Sequence, residues 1–232
     1  MLTSSFFSGY LTHSVVPLTG STGQVMADTA FDIICEYESE SSVSAILVDN
    51  TAANTGYLNG LVVNLEKLLG KNLHTIGCSL HQNELPLRAV FKALDGVSTG
   101  PTSFSGPLGK LCNEDIHLQP PIKFKPIVND LKKVINDIPT DTSGDQQLLF
   151  YYTVGISEGT ITGNFIHRKI GPLNRARWLT LAARLLALYT RQKNPSSSLK
   201  RIVKFIVKVY VPAWFEIKCS NNLKDIPGFI FN

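Results

Sequence analysis

Residues 43–88 read VSAILVDNTAANTGYLNGLVVNLEKLLGKNLHTIGCSLHQNELPLR, and this stretch decides how the chain is expected to fold. Residues 43–48 are apolar apart from Ser44, with β-branched Val43, Ile46 and Val48 suited to a strand. So little interruption predicts a strand covered on both faces, and hence a parallel sheet. The run stops at a carboxylate, Asp49, followed by Asn50, Thr51 and Asn54. Leu58, Leu61, Val62, Leu65, Leu68 and Leu69 then recur at helical spacing, which predicts one helix over 55–69. Gly56 and Gly60 weaken its first half but permit close backbone approach, and Gly70 ends it. Residues 72–77 form a second strand, which a right-handed crossover places beside or near the first. Open α/β sheets place ligands just beyond the carboxyl ends of such strands. Asp49 is therefore the best single candidate for chemistry, although one carboxylate does not make an active site.

Working outward from this unit, a turn at residues 20–23 leads into a helix over 24–37, with Met26 or Ala27, Ala30, Phe31 and Ile34 on its apolar stripe. Asp28 and Asp32 lie one turn apart; such a pair can hold a metal or simply line a wet face. Residues 13–18 are a weak strand that Pro17 confines to an edge. On the other side, Asn83 is expected to cap a helix with Pro86 in its first turn and Leu87, Val90, Phe91 and Leu94 buried. From 95 to 126 the periodicity gives way to Gly and Pro, a long irregular passage of the kind that is often functional. Short helices are expected over 127–136 and 145–155. A helix over 174–191 carries Trp178, Leu181, Ala182, Leu185, Leu186 and Tyr189 on one side. A last one, over 199–209, turns Lys200, Arg201, Lys204 and Lys208 outward, and Pro212 is expected to end it. Trp214 and Phe215 are expected to pack back.

The chain has 232 residues, 44% of them hydrophobic, enough for a substantial core. No apolar run approaches the about 20 residues of a membrane helix. The start, MLTSSFFSGYLTHSVV, lacks a basic leader and a long apolar segment, so the chain reads as nuclear or cytoplasmic and not secreted. Cys35, Cys78, Cys112 and Cys219 are too scattered for a disulfide framework and fit a reducing compartment. The net charge of +4 is unevenly spread. Residues 1–60 hold six acids and no Lys or Arg, whereas residues 165–218 hold twelve Lys or Arg and one acid, Glu216. A polyanion such as nucleic acid is the natural partner for the basic part; a solvated helical face is the alternative.

Each candidate residue has a chemical and a structural reading. Asp49 can ligate a divalent cation, as carboxylates do in two-metal phosphoryl transfer, or can form an Asx-turn ahead of the next helix. His81 is expected to face the same crevice, as a phosphate contact or orienting group. Glu84 is a possible second acid or a helix N-terminal charge. Cys78 and His81, with Cys112 and His117, number enough for zinc, but their spacing does not demand it. Arg175 and Arg177 can pair with phosphate and Trp178 can stack on a base, yet Trp178 also lies on the apolar stripe of its helix, where it would be core. No phosphate-cradling glycine loop, GxSxG elbow or HExxH motif is present, so nothing in the sequence supports a nucleotide cofactor or serine or zinc hydrolase chemistry.

Taken together, LVDNTAANTG (47–56), the helix after it and CSLHQNELPLRAVFKALDG (78–96) resemble the catalytic core of hAT-type DNA transposases, in particular a divergent transposon-derived group. Asp49, Asn50, Cys78, His81 and Leu85 match that family's second-acid and Cys-His elements, with Asn83 and Glu84 departing from the commoner spacing. Arg177-Trp178, SFSGPLGKL (103–111) and VYVPAWFEIK (209–218) look like further family signatures. The resemblance implies an RNase H-like fold interrupted by a long, mainly helical insertion. It also implies a three-acid site that binds Mg²⁺ and cuts and joins DNA. Only Asp49 carries over, as the second acid. The first and third acids, the zinc-finger module and the C-terminal dimerisation segment are not found. The expectation is thus an α/β chain, with a partial RNase H-like core over 1–95 and a loop-rich, then helical, insertion-like region over 96–232. It would be a transposase relative, inactive alone, with Mg²⁺ bound only if a complete acid site is assembled. DNA binding and self-association are its expected interactions, with no membrane. The alternative is a non-enzymatic nucleic-acid-binding or protein-interaction module.

Overall fold

Thr22 caps the first long helix, α1 (Gly23–Glu36), its hydroxyl accepting from the Val25 N–H at 3.3 Å. The computed structural model describes residues 2–6, 9–13, 20, 22–49, 51–100, 102–113, 119–135, 138, 142–173 and 177–219. Ahead of α1, β1 (Leu2–Phe6) and β2 (Gly9–His13) pair antiparallel. The edge strand expected over 13–18 falls, but for His13, outside the described residues.

The strand after α1 is β3 (Ala45–Val48), and it pairs in parallel with β4 (His74–Gly77), Ala45 opposite His74 and Val48 opposite Gly77. The parallel pair expected from the sequence is therefore present, and the chain is a mainly helical α/β protein. The two-sided cover is not. Ala45 is exposed, Ile46 and Leu47 are half-buried, and Ile76 on β4 is 45% exposed. Apolarity alone does not report how many layers a strand meets, and among the described residues this sheet has two strands and a small core. That core joins Ala27 of α1, Leu65 and Leu73, flanked by Ala30, Phe31, Ile34, Val43, Ile46 and Leu69.

The crossover is two helices where one was expected: a single turn, α2 (Ala52–Thr55), and α3 (Leu61–Leu69). The glycines cause the break. A side chain on Gly56 would lie 2.5 Å from the Ala52 carbonyl oxygen, and one on Gly60 2.5 Å from that of Gly56. Gly70, at φ 65°, closes α3 in the left-handed conformation.

Helix α4 (Ser79–Asp95) starts one turn earlier than expected, so Asn83 is not its cap and Pro86 lies in its body. The boundary between the chain's two units falls within this helix, one running to Gln82 and the other starting at Asn83. In the second unit the Asn83 amide donates to the Tyr210 carbonyl at 3.0 Å. The passage after α4 contains α5 (Pro107–Leu111), whose first turn is capped from outside. The buried Asp95 carboxylate accepts from the Leu108 and Gly109 N–H groups at 2.9 and 2.7 Å. One turn, α6 (Leu131–Val134), precedes α7 (Gly144–Glu158), which Ser143 and Gln146 open as a capping box.

Helix α8 (Arg177–Tyr189) is the centre of the second unit. Leu179, Leu181, Ala182, Ala183, Leu185, Leu186 and Leu188 are all buried, so it is covered all round rather than on the one side expected. Trp178 is buried and meets Phe91 edge-on, ring centroids 6.2 Å apart, which is the core reading. Helix α9 (Ser197–Phe205) continues through a wider π-turn, Ile206–Tyr210, into α10 (Val211–Cys219). Pro212 therefore does not end the helix. The wider turn just before it makes room for a ring that would clash with an α-helical carbonyl. Trp214 and Phe215 pack inward as expected, Phe215 edge-on to Phe150 at 5.4 Å. Among the described residues no helix is long and apolar enough to cross a membrane.

Candidate functional site

Asp49 ends β3 and is exposed. Its Oδ1 accepts from the Thr51 N–H at 3.0 Å and from the Asn54 amide at 2.7 Å. The first of these bonds defines an Asx-turn, and the pair ties the strand tip to α2. Partial burial works against the ionised carboxyl. The Thr51 hydroxyl and N–H, the Asn54 amide and the positive charge of His81 outweigh it and hold the group below the usual carboxylate range. His81 stands in the first turn of α4, within reach for its charge to act on Asp49. Asn50 lies outside the described residues.

Among the described residues Asp49 is not joined by other ligands. Among the described residues no group of three or more His, Cys, Asp or Glu side chains is placed to hold a metal. Glu84 belongs to the second unit, where its charge helps to push the fully buried Tyr210 hydroxyl well above its usual range, after burial itself. Asp28 is engaged by the Gln24 amide at 2.7 Å. Of the four residues weighed for zinc, Cys78 is half-buried in the first unit and Cys112 is buried in the second, while His117 lies outside the described residues. Burial pushes the Cys112 thiol up to about 12, with Asp95 adding to the effect and Arg184 opposing it. Such a thiol is an inert core group at neutral pH.

The basic part of the sequence divides into cations with internal partners and cations that face water. Arg184 donates to the carbonyls of Cys112, Gly171 and Ile170 at 2.6, 3.1 and 3.5 Å. Arg191 is buried, donates to the Gln119 and Ala187 carbonyls, and lies over the Tyr152 ring. Lys218 is buried as well. None of these was separable from surface cations by composition. The available signal was position, because Arg184 interrupts an otherwise apolar helix. Arg175 lies outside the described residues, and Arg177 is placed only as the first residue of α8.

Lys200, Arg201, Lys204 and Lys208 are all exposed, as expected. Ser196 caps their helix, accepting from the Leu199 N–H at 3.1 Å. The opposite side buries Leu199, Ile202, Val203, Ile206 and Val207 completely, which fixes the cationic side outward. The charge of Lys208 reaches Asp130, but that carboxylate is already bound to Lys133 at 2.7 Å. The result is a strip of like charge about two turns long on a rigid helix, a geometry that attracts the backbone of a polyanion. Comparison with family models, with curated proteins and with solved structures finds no match to this chain.

Proposed function

We propose that the chain is a transposase-derived protein that binds DNA through the cationic strip along α9 and the π-turn after it, and does not cleave it alone. The observation that carries the proposal is the outward set Lys200, Arg201, Lys204 and Lys208 on a helix whose other side is wholly buried. The parallel pair β3–β4, with Asp49 at its tip, agrees with a partial RNase H-like core and with Asp49 as one acid of a Mg²⁺ site. Two-metal phosphoryl transfer calls for several carboxylates around paired ions. Among the described residues no further acids gather at Asp49, so in this reading Mg²⁺ chemistry belongs to an assembled site. A labelled duplex tests the reading. The chain is expected to bind it at low salt, and the Lys200→Gln/Arg201→Gln/Lys204→Gln/Lys208→Gln variant to bind at least tenfold more weakly. Equal binding by the variant overturns the role of the strip. With Mg²⁺ or Mn²⁺ present, the duplex is expected to remain intact. Cutting that disappears in Asp49→Ala would show a working acid site.

A second reading, self-association, is supported by the edge of β3. The Ser44 and Val48 carbonyls accept from His74 and Cys78, so alternation turns the backbone groups of Ala45 and Leu47 to the other side. Among the described residues no third strand pairs there, and the segment has neither charge nor proline to discourage pairing. Light scattering across a concentration series is expected to show dimers that Leu47→Lys removes; a monomer throughout rules this reading out.

A further inference from the structure

A cavity of about 80 Å³ opens beside α4 in the second unit. Its floor is apolar and stiff. Phe91 and Trp178 are buried and meet edge-on, and Phe91 meets Phe104 in the same way at 5.7 Å. One wall is the turn through Gly96, Val97 and Ser98. Gly96 sits at φ 95°, where a side chain would be strained and would strike the Ser105 hydroxyl. Ser105 holds the Val97 carbonyl through both its N–H, at 3.1 Å, and its hydroxyl, at 2.9 Å. A bridge between Ser98 and Phe104 closes the turn, and Asp95 fixes it to α5. The cavity is therefore built in advance rather than formed by a mobile loop.

Its rim is cationic. Arg88 and Lys92 are exposed, one helical turn apart, and neither is paired with a carboxylate among the described residues. Like charges at this spacing repel, and an anion placed between them relieves the repulsion. Val97, 50% exposed, adds an apolar lip.

We propose that this cavity binds a short acidic peptide of another protein, seating one aliphatic side chain against Val97 and the little of Trp178 that is exposed, while flanking carboxylates pair with Arg88 and Lys92. Size and floor favour this over nucleic acid. A benzene ring already fills an apolar cavity of roughly 150 Å³, so a space of this volume suits a leucine or valine side chain better than a base. Trp178 is too deeply packed to offer a face for stacking, and two cations above an apolar floor suit a peptide better than a run of phosphates.

The test uses the full chain and a fluorescein-labelled eight-residue peptide with a central leucine between aspartates and glutamates, followed by anisotropy. Saturable binding is expected. Arg88→Glu/Lys92→Glu should weaken it at least tenfold with an unchanged melting temperature, both residues being exposed. Replacing the peptide leucine by glycine should weaken it by a similar factor. An eight-nucleotide single strand should not compete. The proposal is overturned if the peptide fails to bind at several hundred micromolar protein, if the glycine peptide binds equally well, or if the charge-reversed variant does. It is also overturned if the oligonucleotide displaces the peptide at equal concentration, which would make the rim a phosphate contact.

Discussion

The two units of this chain are built on opposite economies of burial. The unit running to Gln82 gathers its core around Ala27, Leu65 and Leu73, and most of its sheet is half-covered or exposed. The unit starting at Asn83 wraps a helix that is buried on nearly every side, and it engages the half-buried Arg184 and the buried Arg191 with backbone carbonyls. The residue with the strongest chemical expectation, Asp49, sits in the thinner unit. The cations with the strongest physical claim on a partner sit on the denser one. Local stability follows packing, so the acid-bearing strand tip rests on the weaker scaffold and the cationic strip on the more rigid one.

Core truncation should show the difference most strongly. Leu185→Ala removes a fully buried side chain from the centre of the second unit and is expected to cost about 3–5 kcal/mol, read by urea unfolding. Leu65→Ala, in the first unit, should cost less, about 2–3 kcal/mol, because half-covered neighbours can close on the gap. The reverse order would break the contrast. Arg184→Met keeps the bulk but strips the donors from the carbonyls of Cys112, Gly171 and Ile170. A loss of about 3 kcal/mol is expected in the same assay, since orphaned buried acceptors are costly. A neutral result would mean that the carbonyls find water.

Smaller effects sharpen the picture at the element ends. Asp95→Ala uncaps α5 and should cost about 1–2 kcal/mol, visible as faster amide exchange at Leu108 and Gly109. Asp49→Asn should lower the melting temperature slightly at pH 7. The Asp49 carboxyl is held below its unfolded value of about 3.9. Its contribution is therefore present above that pH and is lost as pH falls through the lower folded value. The gap between wild type and Asp49→Asn should close as pH falls below the usual carboxylate range in paired thermal melts. A gap that widens on acidification would contradict the direction of the shift.

Local signals carried much of this fold. Alternation of strand and helix around Asp49 was readable because residues 43–77 combine β-branched runs with a leucine stripe, and the parallel register follows. What escaped was decided by backbone geometry and by groups that the local pattern does not register. The break at Gly56 and Gly60 depends on how closely the backbone packs one turn back, and α5 depends on a carboxylate thirteen residues before Leu108. The exposure of β3 depends on which layers meet it, and hydrophobicity does not encode that number. Arg184 and Arg191 counted toward a basic surface until their carbonyl partners placed them inside. The π-turn shows the same limit, because Pro212 reads locally as a stop yet is absorbed by one widened turn.

The salt dependence of duplex binding tests the central claim most directly. Each phosphate contact contributes a slope of about −0.9 to log K against log salt on B-DNA. If all four strip residues contact phosphates, neutralising Lys200, Arg201, Lys204 and Lys208 together should make the slope shallower by about 3–4. The same slope in wild type and variant, or affinity that does not change with salt, would contradict the account.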